Sequence, residues 1–464
     1  MAYNFKECNH DQVFLLPPNI REWIPKGDLA LFIMDAVAQT FVSLSRTMDL
    51  AAFYRKYRSD GRGQAAFEPS MMTTLLLYAY SVGIRSSRQI ERLCERDIGF
   101  KVITANQAPD HCTIARFRQE NGEALQALFT DVLKLCAKAG LVKVGVVALD
   151  GSKIKANAAL EANRTHEHIE KEVQQMLADA GKVDAEEDRR YGKDKRGDEL
   201  PDDLRDRNSR LKRLQECKKR LEAEAAEKAQ KQQEKIDERT AEEAETGQKK
   251  RGRKPQEPDS TPKSEAKANP TDPDSRIMKT RKGYVQGYNG QVVVTEKQII
   301  VAAELTTEEN DINQLHPMVD KAQESIAALQ LRNQKIKIVL GDAGYCSEKN
   351  LVRIDPKGPE HLIATQKDWK QRKDLADAPP PRGRMPNALT ERERMERKLR
   401  TKRGRTLYQK RSRMVEPVFG QIKEARGITT FLRRGYEACA EEWKLICTTH
   451  NLLKLWRSGK LVAA

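Results

Sequence analysis

The chain has 464 residues, which is enough for two to four domains and at least one sizeable hydrophobic core. It carries 84 lysines and arginines against 68 aspartates and glutamates, giving a formal net charge of +16. An excess of this size favours a phosphate-bearing partner, most simply nucleic acid, although a membrane surface is also a polyanion. The longest apolar window, residues 71–84, is too short and too polar to span a bilayer. The initial MAYNFKECNHDQVF lacks the basic start and apolar core of a signal peptide, so we expect a cytoplasmic protein with no membrane partner.

The eight cysteines are scattered along the chain, and no two of them form a C-x-x-C pair. This spacing favours reduced thiols in a cytosolic protein over a disulfide framework or a zinc site. We therefore expect the cysteines to be small core side chains. The histidines show no metal-ligand spacing, and we expect them to be structural.

The first part of the chain, residues 1–140, has the apolar spacing of amphipathic helices. The clearest helical periods lie at residues 29–50, 71–82 and 125–139. We therefore expect an all-α N-terminal domain that ends just before a first strand at residues 144–149.

Residues 86–120 predict a helix-turn-helix unit within this domain. The Ser-Ser-Arg-Gln stretch that starts at Ser86 predicts a capping box that opens a short helix, and a second helix follows at 113–120. The second helix carries Arg116 and Arg118, which we predict to contact DNA. The alternative is an ordinary helical bundle with solvated arginines.

Residues 161–250 are dominated by charge, since 47 of these 90 residues are Asp, Glu, Lys or Arg. Such a composition predicts a segment without a core of its own. Two narrow apolar stripes favour two long charged helices that form a hairpin or a weak coiled coil. The stripes are Ile169, Val173, Met176 and Leu177, and then Leu204, Leu211, Leu214 and Leu221.

A basic, proline-rich linker is expected at residues 251–273. Its Arg251-Gly252-Arg253 core resembles an AT-hook, in which arginines beside a glycine enter a narrow minor groove. The pattern is short, and a plain basic linker without base contacts is the more probable alternative.

After residue 274 the pattern changes to β-branched runs separated by turns, which predicts an α/β domain. A hairpin is expected over 283–295 and 298–305, with its turn at Glu296 and Lys297. The remaining predicted elements are helices at 313–328, 407–425 and 443–456 and strands at 336–340 and 361–365.

Two aspartates follow buried strands. Asp150 comes directly after the run 144–149, and Asp342 comes after the run 336–340. Ligands collect at the carboxyl ends of strands in open α/β sheets, and paired carboxylates need a proton or a cation between them. In a lysine-rich chain without a Cys/His cluster that cation is expected to be Mg²⁺ or Mn²⁺, and two such ions about 3.5–4 Å apart can cleave a phosphodiester. A turn-capping role is the alternative for each aspartate, and we prefer it for the nearby Asp274.

A third acid lies on the predicted helix 407–425. At about 100° per residue, Glu416 shares one side of that helix with Tyr408 and Lys423. Arg413 roughly shares that side, whereas Arg411, five residues away, does not. Considered alone, the pattern favours a solvated helix with local ion pairs.

Considered together, the three acidic motifs resemble the DDE transposases of bacterial insertion sequences. The resemblance rests on ALDGSKIKANA, GYNGQVVV, GDAGYCSEKNL and YQKRSRMVEPVFGQIK, with PDHCTIARFR resembling the family's N-terminal helical domain. The family's third motif is Tyr, two residues, Arg, three residues, Glu, six residues, Lys. The spacings from Tyr408 to Arg411 and from Glu416 to Lys423 fit. The gap from Arg411 to Glu416 is four residues instead of three, which favours Arg413 for the arginine's role.

The resemblance implies an RNase H-like α/β catalytic domain, a mixed sheet flanked by helices, formed by residues 141–160 and 274–457. It implies that Asp150, Asp342 and Glu416 are catalytic and hold Mg²⁺ or Mn²⁺, two ions to a site. The DNA contacts that it implies are Lys153, Lys155, Tyr408, Arg411, Arg413 and Lys423.

The activity implied by the resemblance is binding of double-stranded DNA at the element's ends, metal-dependent cleavage, and joining of the freed 3′-hydroxyl to target DNA. The expected form is a homodimer assembled on DNA in the bacterial cytoplasm, associated with the nucleoid. One alternative is an RNase H-like nuclease or resolvase that cuts without joining. The other is a non-catalytic DNA-binding relative, and the presence of all three acids counts against it.

Overall fold

The computed structural model describes residues 19–42, 50–57, 65–191, 202–247, 255–280, 283–330, 335–366 and 379–459. Its first helices are α1 (Leu29–Val42), α2 (Ala51–Tyr54), α3 (Pro69–Ser81), α4 (Ser87–Arg96), α5 (Ile98–Ile103), α6 (His111–Glu120) and α7 (Gly122–Lys138). The strands are β1 (Val146–Lys155), β2 (Arg164–Thr165), β3 (Lys267–Ala268), β4 (Arg276–Thr280), β5 (Gly283–Thr295), β6 (Ile300–Thr306), β7 (Ile338–Gly341) and β8 (Glu360–Ile363). The later helices are α8 (His166–Tyr191), α9 (Asp202–Thr246), α10 (Leu315–Ala328), α11 (Glu348–Val352), α12 (Glu391–Arg400), α13 (Lys402–Tyr408), α14 (Lys410–Gly420) and α15 (Tyr436–Arg457).

A mixed sheet forms the centre of the molecule, with strands in the order β6, β5, β1, β7, β8. Strand β1 is antiparallel to β5 and parallel to β7, and β7 is parallel to β8. Strand β4 pairs with the first residues of β5. Helices α10, α14 and α15 pack against the sheet, so the β-branched runs of β1 and β5 are buried. The predicted hairpin is confirmed, because β5 and β6 are antiparallel neighbours.

Helix α15 joins the sheet to the N-terminal helices, since it packs against β6 and also against α3 and α7. One hydrophobic core therefore extends from Leu29 in α1 to Leu455 in α15. A buried ion pair crosses the same junction, with Arg85 Nη1 2.7 Å from Glu442 Oε1. The helical part of the chain is thus fixed to the sheet by both apolar and charged contacts.

The region predicted as a helix-turn-helix contains a third short helix, α5, between α4 and α6. Helix α4 begins after Ser86, but the Ser86 side chain makes no capping hydrogen bond, so the predicted capping box is wrong. Helix α6 is capped by Asp110, whose carboxylate accepts hydrogen bonds from the backbone N–H groups of Cys112 and Thr113. Helices α4 and α6 pack against each other, and DNA contact by this unit stays a prediction.

The charged segment forms α8 and α9, which pack against each other. Lys218 Nζ lies 2.8 Å from Glu170 Oε1, and Arg210 Nη2 lies 2.5 Å from Glu172 Oε1. Because the later residue of α8 pairs with the earlier residue of α9, the two helices run antiparallel. The prediction of a segment without a core is wrong, because apolar residues spaced along both helices meet β3 at the base of the hairpin. This small separate core consists of Ile169, Val173, Leu214, Cys217, Leu221 and Ala268.

Candidate active site

The three predicted acids line one pocket of about 1200 Å³. Asp150 comes from β1, Asp342 follows β7, and Glu416 comes from α14. Basic side chains surround them, so a phosphate group in the pocket would meet both carboxylates and cations. The basic lining residues are Lys153, Lys279, Arg411 and Lys423.

Asp150 lies in the middle of β1 and not at its end, which corrects the expectation of a strand-end residue. Strand β1 continues to Lys155 because its antiparallel partner β5 is long enough to pair along the whole stretch. The parallel partner β7 pairs only as far as Ala148. Asp150 is therefore just beyond the point where β1 loses one neighbour, and this gap opens the pocket.

The carboxylate of Asp150 is held by a guanidinium. Arg411 Nη2 lies 2.8 Å from its Oδ2, and its Oδ1 accepts a hydrogen bond from the Gly151 N–H at 2.9 Å. The pKa of Asp150 is raised to about 6, mainly by burial; the charges of Asp342 and Asp311 contribute to the rise, and Arg411 opposes it. A cation that approaches this carboxylate therefore stabilises its ionised form.

Asp342 begins a tight turn after β7. Its Oδ1 accepts the Gly344 N–H at 2.8 Å, and this bond orients the carboxylate into the pocket. A Cβ on Gly344 would stand only 2.9 Å from that oxygen, so a side chain there would displace the carboxylate. Gly344 of the GDAGY motif therefore leaves room for the Asp342 carboxylate and donates the hydrogen bond that orients it.

Glu416 is exposed on α14 and borders the pocket from its open side. Within the described ranges, no three Asp, Glu, His or Cys side chains lie close enough together to hold a metal ion as they stand. The donors that the pocket offers are nevertheless carboxylate oxygens on three elements, a set that suits a hard cation such as Mg²⁺ or Mn²⁺. The residues fit such an ion chemically, provided that their side chains converge when it binds.

Arg411, and not Arg413, is the arginine that faces the site. Arg413 is exposed, and its carbonyl accepts a hydrogen bond from Gln298 Nε2 at 3.0 Å. The preference for Arg413 is wrong because it followed the direction of the Cβ atom alone. Arg411 lies in the first turn of α14, where its long side chain reaches around the helix to Asp150.

Lys423 also reaches into the pocket. Its Nζ donates to Ser152 Oγ at 2.5 Å and to the Lys153 carbonyl at 2.7 Å, and burial lowers its pKa. It extends from a π-helical turn, Gln421–Ala425, that continues α14, and such turns often occur at functional sites. Tyr408 at the end of α13 packs against the core close to Arg411.

The remaining predicted DNA contacts lie in different settings. Lys155 is exposed, whereas Lys153 Nζ is 3.7 Å from Asp311 Oδ1. Arg116 is exposed on α6. Arg118 is turned inward, since its guanidinium donates to Tyr80 Oη, the Arg85 carbonyl and Ser87 Oγ. Its contacts therefore tie α6 to the end of α3, and DNA contact by Arg118 stays a prediction. Arg251 and Arg253 lie outside the described residues.

Asp274 lies away from this pocket. Its Oδ2 accepts the Tyr436 N–H at 2.9 Å at the start of α15, and it borders a different cavity. The side chain of Asp274 therefore contacts the start of α15, and its role as a turn cap after the linker stays a prediction.

Several polar residues in the pocket region were missed from the sequence, among them Lys279, which lines the pocket from β4. Asp311 lies in the loop after β6, and its carboxylate accepts hydrogen bonds from Asn289 Nδ2 and Gln291 Nε2. Asn289 and Gln291 are fully buried in β5, directly opposite Lys153 and Gly151 of β1. Two alternating amides inside a buried strand were the available signal, because such groups need partners in the interior.

Comparison with known proteins places the chain in a family. A family model described as a transposase domain (DUF772) matches residues 18–120, and one described as a transposase DDE domain matches residues 257–452. The second match includes Asp342 and Glu416 and begins after Asp150. No curated protein and no solved structure matches the chain. No helix in the described part of the chain is both long and apolar enough to cross a membrane.

The mixed sheet with flanking helices and the matched DDE domain define an RNase H-like α/β protein with a helical N-terminal part. The chain belongs to the DDE transposases of the insertion-sequence type.

Proposed function

We propose that the protein binds the ends of its insertion sequence, cleaves DNA there with a divalent metal, and joins the freed 3′-hydroxyl to target DNA. The observation that carries this proposal is that Asp150, Asp342 and Glu416 line one pocket together with four basic side chains. A bound Mg²⁺ or Mn²⁺ pair would activate the attacking oxygen and stabilise the leaving one. The same pocket would serve both steps, since hydrolysis and joining differ only in the nucleophile.

The chain's own side chains have separate tasks in this scheme. Asp150, Asp342 and Glu416 would supply the oxygen ligands, and Arg411 neutralises Asp150 in the metal-free protein. Lys423, tied to β1 through Ser152, holds positive charge where the scissile phosphate enters.

The DNA path extends from the pocket across the protein. Lys279 on β4 lines the pocket, and Lys155 on β1 and Arg116 on α6 are exposed cations that suit phosphate contacts. We place end recognition in the α4–α6 unit, and coiled-coil packing or dimer assembly in the α8–α9 hairpin. We propose a homodimer on DNA, acting in the nucleoid of a bacterial cell.

A strand-transfer assay tests the proposal. The substrate is an oligonucleotide that carries an inverted repeat flanking the gene and ends in a free 3′-hydroxyl, and the target is a supercoiled plasmid. We expect joined products with Mg²⁺ or Mn²⁺, none with Asp342→Asn, and products near the wild-type level with Asp274→Asn. Nicking without joining would instead show a nuclease or resolvase, and metal-independent binding without nicking would show a non-catalytic relative.

A further inference from the structure

Asp311 brings another carboxylate into the pocket of Asp150 and Asp342. It lies where the loop after β6 enters a short 3-10 turn, Ile312–Gln314, ahead of α10. Its charge is one of the causes that raise the pKa of Asp150, which places the two carboxylates within electrostatic reach of each other. The side chain is about one-fifth exposed, as is that of Asp150.

One oxygen of Asp311 is fully engaged by donors. Asn289 Nδ2 lies 2.7 Å from Oδ1, Gln291 Nε2 lies 2.6 Å from it, and Lys153 Nζ lies 3.7 Å from it. Gln291 is itself fixed, because its Oε1 accepts the Tyr345 hydroxyl at 2.5 Å. These donors lock the orientation of the carboxylate.

The other oxygen points toward Asp342. A Cβ on Gly344 would stand 3.1 Å from Asp311 Oδ2 and 2.9 Å from Asp342 Oδ1, so both oxygens border the same small space. On the other side, a Cβ on Gly151 would stand 2.6 Å from Asp311 Oδ1. Glycine at both positions is what allows these carboxylates to face each other without an intervening side chain.

A buried, unpartnered oxygen lies beside this space. Asn289 is fully buried, and its Oδ1 has no hydrogen-bond partner among the residues that the structure describes. That oxygen is 2.9 Å from the position of a Cβ on Gly151, next to Asp311. Leaving a buried amide oxygen unpaired costs about 1–3 kcal/mol, so the site is built for a donor that is bound there, such as a metal-coordinated water.

We infer that Asp311 is a fourth carboxylate of the metal site, binding a divalent cation through Oδ2 beside Asp342 while Asn289 and Gln291 hold Oδ1. The inference rests on the proposed metal-dependent function. Within the part of the chain that the structure describes, no guanidinium forms an ion pair with Asp311 or Asp342, whereas Asp150 is held by Arg411 and Glu416 stands at the open side.

Mn²⁺ binding without DNA tests the inference, measured by isothermal titration and by loss of the free Mn²⁺ paramagnetic resonance signal. Asp311→Asn keeps the shape of the side chain, and it should weaken Mn²⁺ binding at least tenfold, as Asp342→Asn should. The matched control is Asp320→Asn, which removes one charge from the exposed face of α10 and should leave the affinity unchanged. Wild-type affinity in a folded Asp311→Asn protein would show that Asp311 only anchors the loop, and would overturn the inference.

A second measurement uses the wild-type protein and does not depend on how the variants fold. With added hydrogen peroxide and ascorbate, Fe²⁺ bound in place of Mn²⁺ reduces the peroxide to hydroxyl radicals that cut the backbone nearby, and mass spectrometry locates the cuts. We expect cuts around residues 309–313 and 342–345, and cuts confined to the surroundings of Asp150 and Glu416 would refute a role for Asp311. If Asp311 binds metal but DNA is never cut, the proposed function fails and the inference stands. If the wild-type protein cuts DNA and Asp311→Asn binds Mn²⁺ with wild-type affinity, the proposed function stands and the inference fails.

Discussion

Replacing Asp150 with Asn should stabilise the metal-free protein. The pKa of Asp150 is raised from its ordinary 3.8 to about 6, mainly by burial, so ionisation of this group is disfavoured in the folded state. Each pKa unit corresponds to about 1.4 kcal/mol, which gives a cost of about 3 kcal/mol once Asp150 is fully ionised. This value already contains the opposing attraction of Arg411. Asn cannot ionise and therefore avoids the cost.

The dependence on pH follows from the direction of this shift. Well below pH 3.8 Asp150 is protonated in both the folded and the unfolded chain, so wild type and variant should be equally stable. The advantage of the variant should grow between pH 4 and pH 6 and stay constant above that range. Urea unfolding in EDTA at several pH values measures it, and Glu416→Gln, at an exposed site, is the control that should show no such gain. An Asp150→Asn variant that is no more stable than wild type at pH 7 would refute the reasoning.

Further predictions concern the junction, the DNA and the insertion. Arg85→Met leaves the buried carboxylate of Glu442 without its cation, so it should lower the free energy of unfolding by about 3–5 kcal/mol, measured by urea titration. Loss of the exposed Arg21–Asp35 pair is the control and should change this free energy little. DNA affinity should fall by roughly 10³–10⁵ between 50 and 200 mM salt if about six to ten phosphates are contacted, and a flat response in a filter-binding titration would contradict this. Replacing residues 167–265 with a short linker should leave a folded protein that still binds Mn²⁺, because β2 and β3 already bring the two ends together. Global unfolding of this deletion, seen by circular dichroism, would show that the insertion is required for the fold.

The sequence predicted most of the local elements because their signals are local. The β5–β6 hairpin, the strand before Asp342 and helices α1, α3 and α7 follow from apolar periodicity and turn residues, whereas the short helices α2 and α5 were not predicted. The continuation of β1 beyond Asp150 could not be predicted in the same way. It depends on pairing with β5, more than 130 residues away in the chain.

The site residues that stand in a sequence motif were predicted, whereas those that only the folded structure brings to the site were missed. Asp342 lies in a recognisable turn, whereas Asp311 is one acid among several in a loop and gains its setting from Asn289 and Gln291. Arg411 was misjudged because helical geometry fixes the Cβ direction but not the reach of a long side chain. The small core of the insertion was missed because charge dominates the composition of the segment, although four of the six core residues stand in the two apolar stripes.

The most direct test of a metal-dependent transposase site at these acids is a nicking assay on one oligonucleotide that carries an element end. With Mg²⁺ or Mn²⁺ the wild-type protein should nick the strand, and Ca²⁺ should support binding with little cleavage. Asp150→Asn, Asp342→Asn and Glu416→Gln should still bind the end but lose nicking, while Asp274→Asn should cut nearly as well as wild type. Nicking by Asp150→Asn at the wild-type rate, or loss of nicking in Asp274→Asn alone, would contradict this assignment of the active site.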